Sequence, residues 1–230
     1  MNQLATQGIV LRRTNYQEAD RILTVLSKDQ GKLSVIAKGA RRAKSKLAGG
    51  IELFAVNDLT LINGKSNLHT LTSSRVKNHF SNIVKDIDRT MKAYDYLKLI
   101  DKVVDESADE SEYFDVLERG LEGLNIETLD MHITDIWFYL HALNISGVVP
   151  NLRQDIDGNA LEEGVGYSFA VPDMQFAKSG NGAFNSSHIK MLRVALRHDS
   201  AKNLSNITVE KDITTTCSDA VRNMVEHNLL

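Results

Sequence analysis

Apolar positions in the first 75 residues fall in short runs rich in β-branched side chains, and near residue 80 the spacing changes to a helical one. Gly8–Arg12, Ile22–Leu26 and Lys32–Ala37 read as strands, each bounded by polar or turn-forming residues such as Asn15 and Lys28–Gly31. Two more follow, Phe54–Val56 continuing through Leu59–Ile62, and Leu68–Leu71. The Asn63-Gly64 step between them is a hairpin signal. Five short strands at this spacing fit a small closed barrel of the OB type, with a β-sandwich fragment as the competing architecture.

Beyond residue 80, Ile83, Ile87, Met91, Tyr94 and Leu97 recur at helical spacing and predict an amphipathic helix over 82–104 with these residues inward. Helices are also predicted over 112–124 and over 129–143, the latter carrying Ile133, Ile136, Trp137, Leu140 and Leu143. Ser146-Gly147-Val148-Val149-Pro150 supplies the stop. Residues 151–185 hold scattered glycines without a sustained period and read as an irregular excursion. Ser187 caps a predicted helix to His198, and a last helix runs from about Ser218 to Leu229. The expected fold is α+β: an N-terminal five-stranded OB-type β-barrel over residues 1–80, then an α-helical C-terminal domain over 81–230 with an insertion at about 151–185.

Charge sharpens this division. The whole chain of 230 residues has a formal charge of −3, yet residues 1–80 carry 13 Lys and Arg against 5 Asp and Glu, and the remainder is net −11. A basic module joined to an acidic one points to a polyanion met by the first. The excess is concentrated in Lys38-Gly39-Ala40-Arg41-Arg42-Ala43-Lys44-Ser45-Lys46, where five of nine residues are cationic and none is acidic. Directly after a strand, such a segment forms a loop whose cations neutralise phosphates and release counterions. Arg12, Arg13, Arg21 and Lys32 lie on neighbouring strands and extend the surface. Stacking platforms are few: Tyr16, in a turn, is the better candidate, Phe54 reads as core, and His69 is a weak substitute. A solvated basic loop without a ligand remains the plain alternative.

No catalytic constellation is visible. Gly-x-x-x-x-Gly-Lys, His-Glu-x-x-His and Gly-x-Ser-x-Gly are all missing. The seven histidines form no closely spaced ligand pair, and Asp155-Ile156-Asp157-Gly158 starts like a calcium loop but lacks its remaining ligands. The single cysteine, Cys217, excludes an internal disulfide and reads as a small buried hydrophobe. No membrane span or secretory signal is apparent, so a reducing cytoplasm is the expected setting. The expected protein is not an enzyme and needs no cofactor.

Thr6-Gln7-Gly8-Ile9-Val10-Leu11-Arg12-Arg13, Tyr16-Gln17-Glu18-Ala19-Asp20-Arg21-Ile22-Leu23-Thr24 and Gly31–Arg42 together resemble the RecO family. The Glu-Ala-Asp-Arg and Lys-Gly-Ala-Arg-Arg blocks, in this order and spacing, carry the likeness over about the first 50 residues. A looser match continues through Leu143–Pro150. The resemblance implies a bacterial, cytoplasmic, nucleoid-associated DNA repair and recombination mediator. Such proteins bind single- and double-stranded DNA, anneal complementary strands, and work with RecR and the single-stranded DNA-binding protein so that RecA is loaded. On this footing Lys38, Arg41, Arg42 and Lys44 are carried over as DNA contacts, and the charge and stacking reading adds Lys46, Arg12, Arg13, Arg21 and Tyr16 to the expected set. Lys190, Arg193 and Arg197, spaced along one helix, are candidates for holding the acidic tail of the single-strand-binding partner, although a solvated helix face explains them as simply. Many family members carry a zinc site of paired Cys-x-x-Cys spacing after the Gly-x-x-Pro turn. Here Gln154, Asp157-Gly158, Ala177 and Gly180 stand near those positions, so no zinc is expected and packing of Tyr167, Phe169, Val171 and Phe176 takes its place. A protein-binding adaptor without DNA contact and an RNA-binding barrel are the other readings.

Overall fold

A computed structural model describes residues 3–64, 68–105 and 111–230. The chain divides into two compact units, Met1–Leu121 and Glu122–Leu230. Among the described residues no helix is long and apolar enough to cross a membrane.

In the first unit, strands β1 (Gln3–Tyr16), β2 (Asp20–Ser27), β3 (Gly31–Ala37), β4 (Ala55–Ile62) and β5 (Leu68–His79) close into a ring in the order β1-β2-β3-β5-β4. This is the expected five-stranded OB-type arrangement. The strands form because their alternating apolar side chains fill one interior: Val10, Leu23, Val25, Val35, Leu59, Leu61 and Leu71 are buried together, and Ala40 and Ile51 of the β3–β4 connection join them. A bulge between Val10 and Arg12 bends β1 so that it pairs with β4 along one half and β2 along the other. Four of the five seams are antiparallel. The fifth, β3 with β5, is parallel and only three residue pairs long, Ser34 to Leu68, Val35 to His69 and Ile36 to Thr70. The β4–β5 hairpin forms as expected from Asn63-Gly64, while residues 65–67 lie outside the described residues.

Helix α1 (Ile87–Val103) is shorter than predicted and turned about its axis. Asp86 caps it, accepting from the N–H groups of Asp88 and Arg89 at 2.9 and 3.1 Å. Its buried face is Ala93, Tyr96, Leu97, Leu99 and Ile100, whereas Ile87, Met91 and Tyr94, expected inward, are 73%, 59% and 48% exposed. Ile83 belongs to a separate 3-10 turn, Ile83–Lys85, and the extended residue Asp86 breaks the phase between it and the helix. Helix α2 (Ser111–Asn125) falls where expected and buries Tyr113, Phe114, Val116 and Leu117.

The second unit is built around helix α3 (Met131–Ile145), whose run from Ile133 to Leu140 is buried on every side. A helix apolar all round is a core helix. Trp137 is fully buried, its Nε1 donates to the His198 carbonyl at 2.7 Å, and its ring lies 4.5 Å from that of His141. Helices α4 (Ser186–Arg197) and α5 (Lys211–Leu229) flank it, and the buried Asp135 accepts from Ser218 Oγ at 3.1 Å. Asn185, rather than Ser187, caps α4, in a capping box with His188. Helix α5 begins seven residues before the expected Ser218: Thr214-Thr215-Thr216 has weak helix propensity, but Thr214 is buried and donates to Asp130 Oδ2 at 3.0 Å.

Residues 151–185 are not irregular throughout. Strands β6 (Asn151–Asp155), β7 (Tyr167–Ala170) and β8 (Gln175–Lys178) form a small sheet in the order β6-β8-β7. Four- and five-residue strands, β6 and β7 separated by a glycine-bearing connection and β7 and β8 by Val171-Pro172-Asp173-Met174, leave no measurable period, which is why the sequence hides them.

Candidate nucleic-acid interface

The basic segment after β3 is a sequence of tight turns fixed by its backbone. Gly39, at φ +66°, donates its N–H to Asp20 Oδ1 at 2.7 Å. The Arg41 N–H reaches the Ala19 carbonyl at 2.9 Å, and Arg41 Nη1 reaches the Gln17 carbonyl at 3.4 Å. Arg42 N–H to Gly39 and Ser45 N–H to Arg42 close two further turns, at 3.1 and 3.0 Å. Ala40 is buried and packs into the barrel core. The loop therefore rests on the β1–β2 turn, while the side chains of Lys38, Arg41, Arg42, Lys44 and Lys46 stay exposed and make no ion pair among the described residues. Tyr16, 42% exposed, ends β1 directly beside that turn, and half-buried Arg21 lies opposite Ala37 at the root of the loop, its Nε without a hydrogen-bond partner.

Arg12 and Arg13 are placed differently. Arg12 Nε pairs with Asp101 of α1 at 3.2 Å while its Nη2 donates to Thr24 Oγ1 at 3.3 Å. Lys32 Nζ converges on the same residue, 2.6 Å from the Asp101 carbonyl. Arg13 Nη1 pairs with Glu52 Oε2 at 2.7 Å. Carboxylates already neutralise these cations, so the structure brings together the loop, Tyr16 and Arg21 and keeps Arg12 and Arg13 in pairs of their own. Two exposed cations on β5, Arg75 and Lys77, are missing from the sequence-based set because nothing in their spacing marks them.

In the second unit, Lys190, Arg193 and Arg197 lie along α4 as expected, but Arg193 is committed: its Nε and Nη2 both donate to the Leu152 carbonyl, at 2.8 and 2.5 Å, and tie β6 to the helix. Lys190 borders a hollow of about 480 Å³ floored by Met191, Val194, Ile207 and Ile213. Arg197 borders another of about 580 Å³ with Val149, Pro150 and Leu196.

The four positions corresponding to a thiolate zinc site do not fit that ion. Ala177 and Gly180 offer no side-chain donor, Ala177 pairs with Ser168 in the small sheet, and Gln154 bridges to Ala160. The neighbouring Asp155 turns its Oδ1 to the N–H groups of Asp157 and Asn159. Among the described residues no group of three or more His, Cys, Asp or Glu is placed to hold a metal. Phe176 sits instead at the centre of edge-on contacts with Tyr167, Phe169 and Phe184, at 6.1, 4.9 and 5.5 Å. Phe184 was not among the expected packing residues, and Val171 lies at the β7–β8 turn. A metal chelator should leave the unfolding temperature unchanged, and a fall on chelation would show a metal that this donor set does not explain. Burial pushes the Cys217 thiol up to about 12, far from a reactive thiolate.

Residues 1–80 match the family model "Recombination protein O N terminal", and residues 84–230 match "Recombination protein O C terminal". The chain is 34% identical over 149 residues to the DNA repair protein RecO of Alkaliphilus metalliredigens, covering 65% of this chain and 60% of that one. It is 32% identical over 171 residues to that of Acetivibrio thermocellus, covering 74% and 67%. With that of Roseiflexus it shares 37% over 149 residues, covering 65% and 52%. The matches thus span between about half and two thirds of these relatives' lengths.

Proposed function

Since the chain belongs to the recombination protein O family, we propose that it is a DNA repair and recombination mediator that binds single- and double-stranded DNA and anneals complementary strands. The observation that carries this is the loop Lys38–Lys46: five exposed cations on a backbone already pinned to the β1–β2 turn. A loop held in this way orders little on binding, so less of its electrostatic gain is spent on immobilisation. Annealing needs no catalytic group. Two strands gathered on one cationic surface repel each other less, and base pairing drives the rest, which agrees with a protein that is not an enzyme.

The barrel of residues 1–80 meets the DNA, and the acidic part, 81–230, meets protein partners: RecR and the single-stranded DNA-binding protein, so that RecA is loaded. Lys190 and Arg197, each beside an apolar hollow, suit an acidic tail with apolar residues, whereas Arg193 acts as a brace. The setting is the bacterial cytoplasm, at the nucleoid.

The test is binding to single-stranded DNA across a salt series, comparing the parent with a variant in which Lys38, Arg41, Arg42 and Lys44 are alanine. Losing four phosphate contacts should flatten the log-log salt slope by about 2.8, at about 0.7 per contact. Unchanged slope and affinity would move the site off the loop. Failure of both proteins to bind would favour the adaptor reading.

A further inference from the structure

Strand β5 outruns the ring it closes. Residues 68–70 pair with β3, but from Thr72 to His79 the strand has β4 on one side and no strand on the other among the described residues. Apart from Ser74, which is half-buried, this stretch is exposed, and it carries Arg75, Lys77 and His79. Arg75 and Lys77 make no ion pair among the described residues, although Asp58 of β4 lies directly across from Arg75 in the register.

At Ser74 the side that β3 vacates is met by the segment directly after the basic loop, Leu47 and the 3-10 turn Ala48–Ile51. Ser74 Oγ donates to the Leu47 carbonyl at 3.2 Å. Gly50 lies so close that a Cβ there would stand 2.7 Å from the Ser74 carbonyl carbon, so the approach requires glycine. The loop starts on the β1–β2 turn and ends against β5. Its five cations and the two on β5 therefore belong to adjoining elements joined at Leu47, Gly50 and Ser74.

Resting on the reading of the loop as a DNA surface, we infer that the exposed outer half of β5 is a second phosphate-binding element, on which a single strand crossing the loop continues over Arg75 and Lys77. On a regular strand side chains two apart stand about 6.6 Å apart. Lys77 sits at the register shift between Val76 and Asn78, where the strand bends and re-aims its side chain, and a spacing of this order lets the two cations take separate phosphates along one backbone. Thr72, Ser73 and Asn78 beside the two cations offer no aromatic face on which a base could stack, so the contact here is to the backbone. Asp58 opposes phosphate at this point and tempers the affinity.

The experiment uses the full chain and a single strand of about 30 nucleotides, longer than the roughly 4–16 that one such barrel covers. Salt series are compared for the parent, the Lys38/Arg41/Arg42/Lys44 alanine variant, Arg75→Ala/Lys77→Ala, Asp58→Asn, and Asp58→Asn combined with Arg75→Ala/Lys77→Ala. The β5 double variant should unfold at the parental temperature, bind more weakly, and lose about 1.4 from the slope, in addition to the loss in the loop variant. Asp58→Asn should bind more tightly than the parent, and the gain should vanish when Arg75 and Lys77 are alanine. If the loop variant is flattened while the β5 variant keeps the parental slope, or if Asp58→Asn brings no gain, this inference is overturned and the loop reading stands. If both alanine variants keep the parental slope, the loop reading falls with it.

Discussion

Replacing Trp137 by alanine is expected to destabilise the second unit by about 3–5 kcal/mol, the range for truncating a large buried aromatic side chain. The site cannot collapse to fill the space: α3 is buried around its whole girth from Ile133 to Leu140. The indole also does polar work. Its Nε1 satisfies the His198 carbonyl at 2.7 Å, just beyond α4, so truncation leaves that acceptor without its donor. A carbonyl orphaned in this way adds about 1–3 kcal/mol if it stays buried. Against a usual total of roughly 5–15 kcal/mol, such a loss leaves a marginal fold. Trp137 is the only tryptophan, so urea unfolding must be followed by far-ultraviolet circular dichroism rather than fluorescence. A loss below about 1 kcal/mol would mean that α3 is not the centre of this unit.

The affinity for single-stranded DNA is expected to collapse as monovalent salt rises fourfold. Five loop cations at about 0.7 each give a slope near 3.5, or roughly a hundredfold weaker binding, and adding Arg75 and Lys77 raises it to about 4.9 and nearly a thousandfold. Arg12 and Arg13 add little to either figure, because Asp101 and Glu52 already neutralise them. Exposed ion pairs of this kind are worth under about 1 kcal/mol each to the fold, so their role here is to set which cations remain for phosphate. A titration at both salt concentrations decides the matter. A change of less than about tenfold would show that phosphate neutralisation does not drive binding.

How much of this was legible in the sequence varied with the physics involved. The ring was readable because short apolar runs such as Ile22–Leu26 and Lys32–Ala37 are bounded by polar or turn-forming residues, and Leu23, Val25 and Val35 within them fill a common interior. The basic loop was readable because charge needs no tertiary context to be counted. The buried face of α1 was not, since a periodicity plot runs straight through Asp86, where the backbone is extended and resets the phase. The sheet over 151–178 was hidden by strands too short to show alternation. Arg193 looked like a ligand-binding cation because its acceptor, a backbone carbonyl on β6, has no signature in side-chain types. Arg75 and Lys77 gain meaning only from the place where β5 parts from β3, a matter of register that a sequence does not state.

The three-pair parallel seam between β3 and β5 has a consequence for how the barrel comes together. Three of the other seams join strands consecutive in sequence, whereas the ring is closed by two long-range ones, the antiparallel β1–β4 seam from Gln3–Ile62 to Ile9–Val56 and this short one, which links residues 34–36 to 68–70. Contacts of either separation carry more loop-closure entropy than a hairpin and form later than the hairpins do. The basic segment lies within the interval being closed, and its far end is fastened to β5 at Ser74. Zipping this short seam and bringing the loop against β5 are thus one event, so a chain with every antiparallel hairpin made but the ring still open has the loop seated on the β1–β2 turn without its contact to β5.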